Sequence, residues 1–161
     1  MENKNYIDKI LLDETGLPAP SSEIRHERDL AIYDILQDNE FSLNAREDKD
    51  LPNGPFTLTL GIKNSLLVFV IQNEFSSKQY EIHISLGSLK PIIQDYFEIC
   101  KSYFNAVKRL PPSQIETIDM GRRGIHLEGS RALIERLSGK VNTNVSTAKR
   151  LFTLICALHS T

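Results

Sequence analysis

Residues 56–86 read FTLTLGIKNSLLVFVIQNEFSSKQYEIHISL, and this stretch decides the fold class. It contains three runs rich in Val, Ile, Leu, Phe and Thr, at residues 56–62, 66–72 and 79–86, a composition typical of β-strands. The polar segments between the runs are short enough for hairpin turns, which makes an antiparallel meander the simplest topology. Because apolar residues alternate with threonines in the first run, one face of the sheet is predicted to be buried and the other wet.

Helical patterns lie on both sides of this stretch. Before it, we predict a strand over residues 6–13, a helix over 22–37 and a polar loop over 39–55. After it, apolar residues recur at helical spacing from Leu89 onward, and the final pattern, residues 148–159, is apolar on nearly every side. Such a helix belongs in the middle of a core. We therefore predict an α+β fold, with an antiparallel sheet of three or four strands packed against four or five helices and the C-terminal helix central.

The size and composition of the chain are those of one soluble globular domain. It has 161 residues, of which 40% are hydrophobic and 25% are charged, so disorder and fibrous structure are disfavoured. We predict a single domain over residues 1–161. Because the N-terminus is polar and no apolar run approaches roughly 18 residues, we expect no signal peptide, no membrane helix and a cytoplasmic address.

Motifs for metals and cofactors are missing from the sequence. There is no Walker loop, no dinucleotide-binding fingerprint, no His-Glu-x-x-His and no Cys-x-x-Cys. The four histidines are widely separated along the chain, so neither a metal site nor a cofactor is predicted. Cys100 and Cys156 each lie inside an apolar helical pattern and are predicted to be buried, reduced thiols.

Function is best sought in residues 113–129, which read SQIETIDMGRRGIHLEG. A glycine costs about 1 kcal/mol in a helix interior, so Gly121, Gly124 and Gly129 together favour a loop. An Arg/Gly-rich loop could bring backbone amides and arginine guanidiniums to a phosphate or carboxylate. A helix that starts near residues 128–130 would add its positive end to such a site.

Two other interpretations of this stretch stay open. Asp119 precedes Arg122 and Arg123 by three and four residues, the spacing of an ordinary salt-bridged helix end with Gly124 as its cap. Alternatively, His126 could act as an acid or base with a neighbouring carboxylate. The candidate binding residues come from this stretch, the residues just after it and the charged start of the first helix: Arg122, Arg123, His126, Arg131, Glu116, Asp119, Glu128 and His26.

Four segments together resemble a known family. They are residues 112–129, IRHER at 24–28, DYFEIC at 95–100 and TAKRLFTLICALH at 147–159, and the likeness extends over nearly the whole chain. The chain resembles the uncharacterised alphaproteobacterial protein family numbered two hundred and sixty-two in the UPF series. The resemblance implies a bacterial origin and a cytoplasmic address, and it implies no particular activity.

These observations favour a non-enzymatic cytoplasmic binding or regulatory protein whose Arg/Gly-rich loop engages an anionic group on a partner. A protein or a small anionic ligand is a better candidate than nucleic acid, because the net charge is −2 and no basic-aromatic sheet motif is present. The alternative is a small enzyme that acts on a phosphorylated or carboxylated metabolite, with His26 or His126 as acid/base. The sequence predicts no oligomeric state.

The arrangement of four side chains would separate these hypotheses. Convergence of Arg122, Arg123, His26 and His126 in one pocket would favour the enzyme, and a flat exposed patch would favour the binder. If the arginines are instead paired internally with Glu116, Asp119 or Glu128, the stretch is architectural.

Overall fold

The computed structural model describes residues 3–44 and 50–159. In this part of the chain the elements are β1 (Ile7–Asp13), α1 (Ser22–Gln37), β2 (Phe41–Leu43), β3 (Phe56–Lys63), β4 (Leu66–Gln72), β5 (Gln79–Ser85), α2 (Leu89–Arg109), α3 (Pro112–Leu137), β6 (Val141–Thr143) and α4 (Val145–Leu158). The predicted α+β class is confirmed, and so are the three strand runs, the first strand and the first helix.

The main sheet has four strands in the order β1-β3-β4-β5. Strands β3, β4 and β5 form the predicted antiparallel meander, in which Leu60 lies opposite Phe69 and Phe69 opposite Ile82. Strand β1 pairs with the free edge of β3 in parallel, so the sheet is mixed. The parallel direction follows from the connection, because the chain passes through α1 between these two strands and can return to the same end of the sheet.

Helix α4 occupies the centre of the molecule, as its apolar sequence predicts. It packs between α1 and α3 and also contacts β3. Leu151, Phe152, Leu154 and Ile155 are fully buried on its different sides. Each such side chain stabilises the fold by about 1.5–3 kcal/mol through removal of apolar surface from water, so this helix is a major contributor to the core.

A second, two-stranded sheet joins the end of α1 to the start of α4. Strand β2 pairs antiparallel with β6, and the Glu40 N–H donates to the Thr147 hydroxyl at 2.9 Å. The segment predicted as a loop, residues 39–55, therefore contains a strand. Three residues are too few to show a period, which is why the sequence pattern does not detect it. Residues 45–49 of the predicted loop lie outside the described part of the chain.

Helix α3 runs without a break through all three glycines of the charged stretch, so the expected Arg/Gly-rich loop is wrong. Two of the glycines allow close packing between helices. A Cβ at Gly129 would lie 2.2 Å from Cζ of Phe152 on α4, and one at Gly121 would lie 2.8 Å from Cδ1 of Ile99 on α2. Dispersion attraction between the closely packed helices offsets the helix propensity that each glycine loses, about 1 kcal/mol.

Candidate functional site

A concave pocket of about 350 Å³ opens where α1, α3 and α4 meet, and we call it the junction pocket. Its volume lies in the range of small-molecule sites. The lining residues come from α1, from α2, from α3 and from α4: Glu27, Leu30, Ala31, Asp34, Tyr96, Arg122, Arg123, His126, Lys149, Arg150 and Thr153.

Two helices contribute the same pattern to the pocket, a basic pair followed by a hydrogen-bonding side chain on the next turn. His126 on α3 and Thr153 on α4 meet, with Nε2 of the imidazole 2.8 Å from the hydroxyl oxygen. The Thr153 hydroxyl donates to the carbonyl of Lys149 at 3.2 Å, so its oxygen is left to accept a hydrogen bond from the N–H of His126. The hydrogen-bond network thus assigns the imidazole its proton at Nε2.

His126 is uncharged at neutral pH. Its ring centroid lies 5.3 Å from that of Tyr96 and 5.4 Å from that of Phe152, in a largely apolar setting. Burial, together with the smaller effect of the positive charges of Lys149, Arg122 and Arg150, lowers the pKa of His126 to about 4. A neutral imidazole contributes hydrogen bonding to the pocket wall and no charge.

Arg122 ties three helices together. Its Nε and Nη2 donate to one carboxylate oxygen of Asp119 at 3.1 and 2.7 Å, and its Nη1 lies 3.4 Å from Glu27 of α1. The guanidinium carbon also lies 4.4 Å from the ring centroid of Tyr103 on α2. The hydrogen bond from Arg122 is the main reason why the pKa of Asp119 is below its usual range. The internal pairing expected of an architectural role is therefore present at Arg122.

Arg123 differs from its neighbour in exposure. Its side chain is 76% exposed, and it donates to the second carboxylate oxygen of Asp119. Because one end of the guanidinium is held and the rest faces solvent at the pocket, Arg123 retains donors for a ligand.

Arg150 has one hydrogen-bonded nitrogen and one buried nitrogen without a partner among the described residues. Its Nη1 donates to the carbonyl and to the hydroxyl oxygen of Ser146 at 2.9 and 2.8 Å. Its Nε is buried, and it is the one buried side-chain nitrogen or oxygen of the described residues that has no hydrogen-bond partner. A buried donor without a partner costs roughly 1–3 kcal/mol.

The wall formed by α1 is acidic. Burial raises the pKa of Glu27, an effect that the nearby Arg122 opposes. Asp34 lies two turns further along the same face, and none of the described residues places a cation within ion-pair distance of it. The pocket therefore has four cationic side chains on α3 and α4 and two carboxylates on α1.

The structure brings together only some of the residues predicted for the site. Arg122, Arg123 and His126 line the junction pocket, and Asp119 holds both arginines. The remaining candidates are exposed and lie outside the lining of this pocket: His26, Glu116, Glu128 and Arg131.

The pocket also contains residues that the sequence argument missed. Lys149, Arg150 and Thr153 repeat the spacing of Arg122, Arg123 and His126, and this repeated pattern is a signal that could have found them. Nothing in the sequence places α1 opposite these two helices, so Asp34 has no comparable signal.

Three further observations concern metal ligands, helix length and the cysteines of the described residues. No group of three His, Cys, Asp or Glu side chains there is arranged to hold a metal ion. No helix in residues 3–44 and 50–159 has the length and apolar character needed to cross a bilayer. Cys100 and Cys156 are free and buried, as predicted, and burial raises the pKa of Cys100 to about 11 and that of Cys156 well above its usual value.

Fold and pocket together define an α+β protein with a predominantly cationic pocket at a junction of helices. The chain belongs to UPF0262, an uncharacterised protein family, which it matches over residues 4–161. The family resemblance seen in the sequence is thereby confirmed.

Similar proteins occur in alphaproteobacteria. A UPF0262 protein of Ruegeria pomeroyi is 58% identical over 153 residues, which is 95% of each chain. Another, of Roseobacter denitrificans, is 55% identical over 153 residues, 95% of this chain and 96% of the relative. A third, of Paracoccus denitrificans, is 53% identical over 157 residues, 98% of this chain and 97% of the relative. No solved structure matches the chain.

Proposed function

We propose that this protein is a cytoplasmic binding protein that takes a small organic anion into the junction pocket. The observation that carries the proposal is the convergence of basic side chains from α3 and α4, Arg150 among them, on this one pocket. Lys149 and Arg123 line the same pocket. A phosphate or carboxylate would accept from the guanidinium groups in the forked geometry that suits these anions.

The shape and lining of the pocket favour a small molecule over a macromolecule. Its volume of about 350 Å³ is that of a compact metabolite, and Leu30, Ala31 and Tyr96 give it an apolar part. The net charge of −2 argues against a nucleic acid, whose affinity rests on neutralised phosphates. An anion with a small apolar portion fits this combination.

Each basic residue has a different role in the proposed site. Arg150 and Lys149 on α4 contact the anion, and Arg123 adds donors from α3. Arg122 acts as a positioning residue, because its donors are engaged by Asp119 and Glu27. The centre of the site therefore moves from the double arginine of α3 to the basic pair of α4.

Calorimetric titration of the full chain tests the proposal. Phenyl phosphate, benzoate and inorganic phosphate serve as anionic probes, and benzyl alcohol is the neutral control. We expect phenyl phosphate to bind and Arg150→Gln to weaken it at least about tenfold, since a charge-assisted hydrogen bond contributes roughly 1.5–3 kcal/mol. Arg131→Gln removes an exposed charge of α3 outside the pocket and should change nothing. Failure of all three anions to bind would overturn the proposal.

A second candidate function is a small enzyme with His126 as acid or base, and it is favoured by the position of this residue in the pocket beside basic side chains. A pKa of about 4 makes His126 a weak base, which is why we place this function second. Turnover of p-nitrophenyl phosphate that His126→Gln abolishes, with phenyl phosphate binding intact, would establish it. Absence of turnover in the wild type would leave the binding function alone.

A further inference from the structure

The charges in the junction pocket are segregated by helix. Every ionisable side chain that α1 contributes is a carboxylate, and every charged side chain from α3 and α4 is a cation. Glu27 and Asp34 stand seven residues apart on one face of α1, with Leu30 and Ala31 between them. At 1.5 Å per residue this separation is about 10 Å along the helix, so the two carboxylates lie at opposite ends of the pocket.

The two ends differ in how well the carboxylates are neutralised. Glu27 lies 3.4 Å from Arg122, whose guanidinium is also bound to Asp119. Asp34 has no cation at ion-pair distance in the described part of the chain. The carboxylate at one end of the pocket is thus neutralised by Arg122, whereas Asp34 at the other end has no counter-ion among residues 3–44 and 50–159.

Asp34 and the basic pair of α4 lie at the same end of the pocket. The Glu40 N–H just after α1 donates to Thr147 in the first turn of α4, so the end of α1 lies beside the start of α4. Asp34 in the last turns of α1 is therefore level with Lys149 and Arg150, and all three line the pocket.

A simple anion would be complementary in charge to the basic wall of the pocket only, and not to its acidic wall. Its charge would be favoured by Lys149 and Arg150 and opposed by Asp34. A ligand with an ammonium group and an acid group would complement both walls, because each charge would meet its opposite.

We propose that the junction pocket takes a small zwitterion, an amine that also bears a carboxylate or phosphate, with its ammonium at Asp34 and its acid group at Arg150 and Lys149. This inference rests on the proposed function and names the class of its ligand. The apolar residues Leu30 and Ala31, one turn before Asp34 on α1, line the pocket beside this site and suit the short hydrocarbon part of such a ligand.

Two isosteric probe pairs test the inference by calorimetry on the full chain. Phosphoethanolamine and propyl phosphate differ in an ammonium against a methyl group, and so do 4-aminobutyrate and pentanoate. We expect the amine of at least one pair to bind about fivefold more tightly than its methyl partner, the ratio that an ion pair of partly exposed groups provides. Asp34→Asn should bring this ratio to about one and leave the affinity of the methyl partner unchanged or higher. Asp38→Asn, an exposed carboxylate at the end of the same helix, is the matched control.

The outcomes separate this inference from the proposed function. If the methyl compounds or phenyl phosphate bind and the amines show no advantage, the pocket takes anions and the zwitterion is excluded. The zwitterion is also excluded if the amine preference survives in Asp34→Asn while circular dichroism shows a folded variant. If none of the anionic or zwitterionic probes binds, the proposed function fails and this inference with it.

Discussion

Gly129 of α3 lies so close to the ring of Phe152 on α4 that a Cβ at this position would be 2.2 Å from Cζ and 2.4 Å from Cε1 of the phenylalanine. Phe152 is fully buried and is itself in edge-to-face contact with Tyr96 and His126, so its ring has no room to move away. The glycine therefore sets the distance between the two helices that carry the basic walls of the pocket.

Gly129→Ala should destabilise the protein by about 1–3 kcal/mol, the usual cost of an extra methyl group in a tightly packed core. Gly124→Ala on the same helix is the matched control, because no atom lies within 4 Å of its added Cβ. This control should stabilise the fold by about 0.5–1 kcal/mol through helix propensity. Urea unfolding measures both, and a similar effect of the two substitutions would show that the contact with Phe152 is not limiting.

Arg122 and Arg123 should differ sharply in their effect on stability. Arg122→Ala loses two hydrogen bonds to Asp119, the contact with Glu27 and the stacking on Tyr103, and we expect a loss of about 1–3 kcal/mol. Arg123→Ala, on a side chain that is 76% exposed, should cost less than about 0.5 kcal/mol. Thermal unfolding compares the two, and equal losses would contradict the assignment of Arg122 as the residue that ties the helices together.

Stability should fall in acid because of His126. Its pKa is about 4 in the folded protein and about 6.5 in an unfolded chain, so protons bind preferentially to the unfolded state between these values. Above about pH 6.5 the imidazole is neutral in both states and the free energy of unfolding has its full value. As the pH falls toward about 4, preferential protonation of the unfolded state lowers the free energy of unfolding by up to about 3 kcal/mol.

Urea unfolding at about pH 7.5 and about pH 4.5 checks this contribution. His126→Gln should reduce the difference in unfolding free energy between the two conditions. His83→Gln, on the exposed face of β5, should leave the difference unchanged. A titration of the His126 imidazole by NMR with a midpoint near 6.5 would contradict the assigned burial.

Both cysteines should be unreactive in the folded protein. Burial raises the pKa of the Cys100 and Cys156 thiols, so little thiolate is present and reagents have no access. We expect Ellman's reagent at about pH 8 to react with two thiols only after denaturation. Ser102→Cys, at an exposed position of α2, supplies a thiol that should react at once. Fast reaction of the native wild type would show that the core around Cys100 and Cys156 opens.

Local sequence patterns were sufficient for most of the secondary structure. The alternating residues of β3 and the continuous apolar run of α4 predict their elements. Strands and helices repeat about every two and about every 3.6 residues, so a few consecutive residues are enough to show the pattern. The same reasoning misplaced the glycines of α3. A glycine in a loop and a glycine that packs against a neighbouring helix look alike in sequence. The contact that requires the second glycine involves residues that are distant along the chain, as Phe152 is from Gly129.

The sequence by itself determined the α+β class, the buried thiols and the i,i+4 pairing of Asp119 with Arg123, since each depends on composition or on spacing within one element. Only the tertiary structure decided the site. It set α1 against α3 and α4, joined His126 to Thr153 and brought Asp34 and Arg150 into the lining of one pocket. These relations arise from packing between helices that are far apart in the chain, and no local period encodes which face of one helix will meet which face of another.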